Sequence, residues 1–205
     1  MKQFNNVSNS FMNVINLPNI RNITISGRIG SGATTLAKKL AEVLDWELLE
    51  GGDLFEKIHK ELHLSQSDAG KRPDHFDTEY EEKVKEMLKN KNNQIIQSHL
   101  AGFDAQGMEG VYKIFVACED SEGNDKTDIR IDRLVNRDKI SIEEAKEEVF
   151  EREKQHLEKW IRLYANGDQS WVYWDKKYYD LMVNTYDHNQ EETLQIVLEA
   201  IGKTD

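Results

Sequence analysis

The chain has 205 residues, a formal charge of −11 and a single cysteine, Cys118. That length supports one domain with a real core. The acidity argues against general nucleic-acid binding, which needs a basic face. One cysteine excludes an internal disulfide or a cysteine zinc site, and no apolar run nears the roughly 20 residues of a membrane span. With no apolar leader at the start, a cytoplasmic protein without membrane partners is expected.

Residues 1–20 are rich in asparagine, with scattered Phe4, Phe11, Met12, Val14, Ile15 and Leu17. They read as a loose N-terminal extension, with room for a short helix, closed by Pro18. A buried strand follows at 23–26, then a glycine-rich turn and an amphipathic helix over 32–44. A short strand at 46–49 ends at Gly51-Gly52-Asp53. Strand, helix, strand of these lengths is a βαβ unit and implies a parallel sheet.

Charged helices are expected at 54–62 and 78–89, joined through a connection at 68–77 that holds Gly70 and Pro73. Strands follow at 94–97 and 112–117, then a polar loop at 119–126. A helix is expected at 127–136. Ser141-Ile142-Glu143-Glu144 is a capping box that opens a long helix to about Tyr164. A turn-rich aromatic stretch, 166–177, precedes a last strand at 180–185, and Asn189 caps a terminal helix.

The turn after the first strand carries the chemistry. Gly27-Arg28-Ile29-Gly30-Ser31-Gly32-Ala33-Thr34-Thr35 has the layout G-x-x-x-x-G-K-[ST], with Ala33 at the lysine position. Glycines let the backbone approach an oxyanion closely. Amides from about Gly30 to Thr35 make an anion nest, and the helix dipole adds its positive end. Thr34 can offer its hydroxyl to Mg²⁺. Losing the lysine removes a charged contact of roughly 1.5–3 kcal/mol, a loss of about ten- to a hundredfold in affinity. Without a ligand, the same residues make an ordinary strand–turn–helix.

In this order, the parts resemble the cytidylate kinases, especially the short archaeal-type enzymes. Five blocks carry the resemblance: the 25–35 loop, Gly52-Asp53-Leu54-Phe55, His99-Leu100-Ala101-Gly102, the Arg130/Arg133/Arg137 spacing, and Tyr179-Asp180-Leu181-Met182-Val183-Asn184-Thr185. The resemblance implies a three-layer α/β P-loop NTPase fold with a parallel sheet of about five strands. It also implies a helical acceptor subdomain at 54–92 and a lid at 137–155, within a kinase-like domain spanning 21–205. The implied activity is transfer of the γ-phosphoryl of ATP to CMP or dCMP with Mg²⁺. Gly27, Arg28, Gly30, Ser31, Gly32, Ala33, Thr34 and Thr35 would cradle ATP, and Thr34 and Asp53 would hold the metal. Arg130, Arg133, Arg137 and Arg152 would gather on the phosphates. Asp53, Asp77, His99 and Gly102 would line the acceptor side. The partner is a small nucleotide, and a monomer is expected.

The chain departs from the family pattern in several places. Ala33 replaces the loop lysine, and Glu56 and His99 stand at usual arginines that hold the acceptor's phosphate. Leu157 and Lys159 replace lid arginines, and Glu81 and Lys83 stand where aspartate and arginine are usual. Lys57, Lys60, Lys71 and Arg72 are nearby substitute cations. Two lost charged contacts would cost about 3–6 kcal/mol, taken as additive for scale. A second reading is therefore a catalytically weak nucleotide-binding protein with a regulatory or partner-binding role. Two smaller expectations complete the sequence reading. His59 and His63 share a helix face and are taken as solvated rather than as a zinc pair. The aromatic run Trp160, Trp171, Tyr173, Trp174, Tyr178 and Tyr179 is taken as packing rather than base stacking.

Overall fold

The computed structural model describes residues 14–203. Five strands form one sheet: β1 (Asn22–Gly27), β2 (Glu47–Glu50), β3 (Gln94–Gln97), β4 (Val111–Ala117) and β5 (Leu181–Asn184), in the order β2-β3-β1-β4-β5. All four pairings are parallel. Parallel strands need crossovers, which put helices on both faces and bury the strands twice over. All six residues of β1 are buried.

The helices are α1 (Ala33–Leu44), α2 (Gly51–Glu61), α3 (Asp74–Asn90), α4 (Ala101–Asp104), α5 (Thr127–Asp138), α6 (Ile142–Lys146), α7 (Glu153–Tyr164) and α8 (Gln190–Ala200). A π-helical run, Glu147–Arg152, joins α6 to α7. The period-two alternation of strand side chains divides the core. On one face Ile23, Ile25, Ile95, Ile114 and Val116 meet Leu36 and Leu40 of α1 and Val197 of α8. On the other, Ile96 packs with Tyr80, Val84 and Leu88 of α3, and Phe115 packs with Trp160, Trp171 and Tyr173. The aromatic stretch is thus largely core. The result is the three-layer α/β fold that the strand–helix alternation implies.

Strand β1 has β3 on one side and β4 on the other. The chain order reverses there, and in open α/β sheets the crevice at such a point receives ligands. The turn after β1 leads straight into it.

Three local expectations are corrected. The Gly51-Gly52-Asp53 segment does not close a strand; it is the first turn of α2, with Glu50 as its N-cap. A Cβ on Gly51 would lie 2.6 Å from Tyr80 Oη, so glycine lets this turn sit against α3. The 68–77 connection is shorter than expected. A 3₁₀ turn, Gln66–Lys71, starts on a Ser65/Asp68 capping box, and α3 begins at Asp74. His59 is not solvated: it is 2% exposed, while His63 is exposed. In the N-terminal extension, residues 14–20 carry no helix. Ile15 N donates to Leu44 O at 3.0 Å, and Leu17 pairs with Ile20 in a tight bridge. Residues 1–13 lie outside the described part.

Candidate active site

A cavity of about 780 Å³ opens between the turn after β1, the start of α2, the end of β3 and the α6–α7 arm. The wall formed by the turn after β1 is main chain. Gly30 has φ +78° and Gly32, the N-cap of α1, has φ +101°. A Cβ on Gly30 would lie 2.6 Å from the carbonyl oxygen of Arg130, so the turn is closed to any larger residue. The first N–H groups of a helix have no partner within it; here they belong to Ala33, Thr34 and Thr35, all lining the cavity. The buried Ser31 hydroxyl also lacks a partner in the protein. Amides and an orphaned hydroxyl around a glycine cradle fit a polyphosphate. Thr34 Oγ1 lies 3.4 Å from Gln97 Oε1 at the end of β3, and both side chains face the cavity.

Two of the four arginines brace the loop from behind. Arg130 is 1% exposed. It donates to Ile29 O at 2.7 Å and pairs with Asp125 at 2.9 Å and Glu153 at 3.2 Å. Arg28 joins the same two carboxylates and lies 4.6 Å above the ring of Trp174. Arg133 donates to Ser31 O at 3.2 Å and to Thr185 Oγ1 at 2.8 Å, and Thr185 Oγ1 in turn donates to Ser31 O at 2.8 Å. Arg137 and Arg152 face the cavity itself. Each has an acidic neighbour: Asp138 at 2.7 Å from Arg137, and Glu148 at 2.5 Å from Arg152. Arg152 ends the π-helical run, a backbone form that recurs at functional sites.

The wall around α2 and the end of β3 is built from side chains. Asp53 is exposed in the first turn of α2 and lines the opening. Glu56 lines it too, and Lys60 one turn on covers its charge at 2.6 Å. Asp77 lies beneath the floor, 1% exposed, between Arg72 at 2.5 Å and Lys159 at 2.6 Å. Arg72 itself lines the cavity, stands 4.1 Å over the Phe55 ring and donates to His59 Nε2 at 2.9 Å. Burial, then the Arg72 charge, holds the His59 pKa below its ordinary value. Gly102 supports the wall: its N–H donates to Ser26 Oγ at 3.1 Å, and the Tyr179 ring occupies the place of a Cβ. Glu81 lines the cavity at 4% exposure. Burial first, then the neighbouring Asp104 charge, raises its pKa well above the usual carboxylate range.

His99 Nδ1 lies 2.8 Å from Gly27 O. Burial, aided by the Arg152 charge, lowers its pKa to about 4. The His156 ring lies 5.5 Å from it and stacks on Trp160 at 4.7 Å. His156 and Gln97 went unnoticed in the sequence; only proximity in space singles them out. Among the described residues no three His, Cys, Asp or Glu side chains converge as a protein-only metal site. A metal here would be shared with the nucleotide's phosphates.

Comparisons with known proteins give the family. The model of the cytidylate kinase-like family matches residues 22–187. A cytidylate kinase of Methanosarcina mazei is 31% identical over 87% of this chain and 95% of its own length. One from Pyrococcus horikoshii is 31% identical over 89% of each. Among solved structures, a gluconokinase from Sinorhizobium meliloti superposes with a TM-score of 0.55 at 12% identity, covering 89% of this chain and 92% of its own. That likeness concerns the fold alone. Sequence and architecture together place this chain in the cytidylate kinase-like family, a family of phosphotransferases.

Proposed function

We propose that the chain moves the γ-phosphoryl group of ATP, with Mg²⁺, to a nucleoside monophosphate, and that CMP and dCMP are its acceptors. The observation that carries this reading is the shared cavity, lined by the amide cradle, by Arg137 at the end of α5 and by Arg152 on the α6–α7 arm. Phosphoryl transfer asks little covalent chemistry of a protein; it asks for positioning and charge neutralisation. The turn from Gly27 to Thr35 holds the donor's phosphates. Thr34 and Asp53 would hold a Mg²⁺ ion, which would supply charge neutralisation at the phosphates. Arg137 and Arg152 meet the transferring group. Arg130 and Arg133 are positioning residues: they keep the cradle in shape through Ile29 O, Ser31 O and Thr185. Residues 54–92 form the acceptor side and residues 137–155 the lid.

The test is ADP release with ATP, Mg²⁺ and a panel of nucleoside monophosphates, beside calorimetry of ATP binding. Turnover that depends on CMP or dCMP supports the reading. ATP binding without acceptor-dependent turnover would overturn it.

A further inference from the structure

The cavity holds the imidazole of His99 where the family pattern has a guanidinium, and His156 lies beside it. His99 and His156 both line the cavity with Trp160 and Arg152. His99 is fixed by one contact whose chemistry is unambiguous. A carbonyl oxygen only accepts, so Nδ1, 2.8 Å from Gly27 O, must carry the hydrogen. In neutral His99 the other nitrogen, Nε2, is then a bare lone pair. A phosphate oxygen cannot be met by a lone pair. It can be met by Nε2–H, and that requires either a proton from solvent or the loss of the Gly27 bond.

An entering phosphate favours the proton over the loss of that bond. Facing His99 are Glu153 and Arg152 from the lid arm, Arg130 from α5, His156 from α7, and the Tyr173 hydroxyl at 3.5 Å. Facing His156 are Arg152, Arg72, Lys159 and His99. Burial keeps both imidazoles neutral, and the cationic surround adds to it. A dianionic phosphate entering among these groups reverses the local sign and favours imidazolium. Glu153 already supports the charged form of His99.

We propose that the acceptor's phosphate docks on His99, His156 and Arg152, and that docking takes up a proton onto His99 Nε2. This rests on the phosphotransferase reading above and specifies how its acceptor is held. No bond to phosphorus forms or breaks in this step. One proton passes from solvent to a ring nitrogen, and the Gly27 hydrogen bond is kept. A monophosphate ester is mostly dianionic above its second pKa of about 6. Above the phosphate's second pKa and below the bound-state pKa of His99, affinity therefore falls about tenfold per pH unit for the one proton taken up, and it levels off beyond.

The experiment is histidine ring ¹⁵N NMR of the full chain at pH 7.5, without ATP, titrated with CMP and separately with inorganic phosphate. His99→Gln and His156→Gln assign the signals. The expected result is that His99 moves from the neutral to the imidazolium pattern as either probe binds. Calorimetry with CMP in two buffers of different ionisation heat should then report about one proton taken up. His99→Arg should retain CMP binding while the uptake vanishes. If CMP binds and turns over while His99 stays neutral, this inference falls and the kinase reading stands. If neither probe perturbs His99 or His156, the docking site is wrong. If the assay also shows no acceptor-dependent turnover, the kinase reading falls with it.

Discussion

The two walls of the cavity hold charge by different means. The donor wall uses main-chain amides, glycine torsions and a helix terminus. The acceptor wall uses side chains: Arg72, Asp77, Glu81, His99, His156 and Lys159. A main-chain site survives loss of a side chain such as the loop lysine, because the backbone geometry remains. A side-chain site changes character with each substitution. This chain departs from the family pattern at Glu56, Glu81 and His99, and all three line the cavity. Glu56, Glu81 and His99 thus set the chemistry of one wall, while the torsions of Gly30 and Gly32 set the shape of the other.

The largest effect should come from the floor of the acceptor wall. Asp77 is 1% exposed and holds both Arg72 and Lys159. Removing one partner of a buried ion pair costs about 3–5 kcal/mol. Asp77→Ala should lose that much in urea unfolding. A loss below about 1 kcal/mol, the range of a surface pair, would mean the floor is wetter than the structure shows. Next is the donor wall. Gly30 needs φ +78°, and a Cβ would press on the Arg130 carbonyl at 2.6 Å. Gly30→Ala should weaken ATP binding on the order of a hundredfold, about 2.7 kcal/mol. Unchanged affinity by calorimetry would break the claim that backbone shape makes this wall.

A third prediction uses pH. Burial raises the Glu81 pKa well above its ordinary 4.5. The folded state then binds a proton that the unfolded state has released once pH exceeds about 4.5. Its contribution to stability is complete below that value and is lost as pH climbs toward the folded pKa. Glu81→Gln carries no such proton, so its unfolding free energy should fall less steeply from pH 5 to 8 than that of the wild type. Parallel profiles would show that Glu81 is ionised in the fold.

Much of the donor wall was legible in the sequence, because a strand–glycine–helix pattern is local. The capping boxes at Ser141 and Asn189 were equally plain, and both close as expected. The Ser65/Asp68 box was present in the sequence too, but the glycine and proline nearby argued for a loop. The pair Gly51-Gly52 read as the end of a strand. Only the packing of Tyr80 against Gly51 explains why glycine suits the start of α2. The arginine spacing at 130, 133 and 137 told of one helix face, yet Arg130 turns into the loop's support while Arg137 reaches the cavity. His156 lies 57 positions beyond His99, and nothing in its neighbours marks it. Long-range pairing of this kind is set by the fold.

The smallest predicted effect is the most pointed about the donor wall. Ala33 sits at the lysine position, 6% exposed, in the first turn of α1 and at the cavity's edge. Ala33→Lys would add a cation to a nest that already meets the phosphates with amides. One charged hydrogen bond is worth about 1.5–3 kcal/mol before the cost of ordering a lysine, up to about 2 kcal/mol. The net gain in ATP affinity by calorimetry should therefore stay within roughly tenfold. A gain well beyond that would mean the amides supply little of the grip, and the contrast between the two walls would fail at its stronger end.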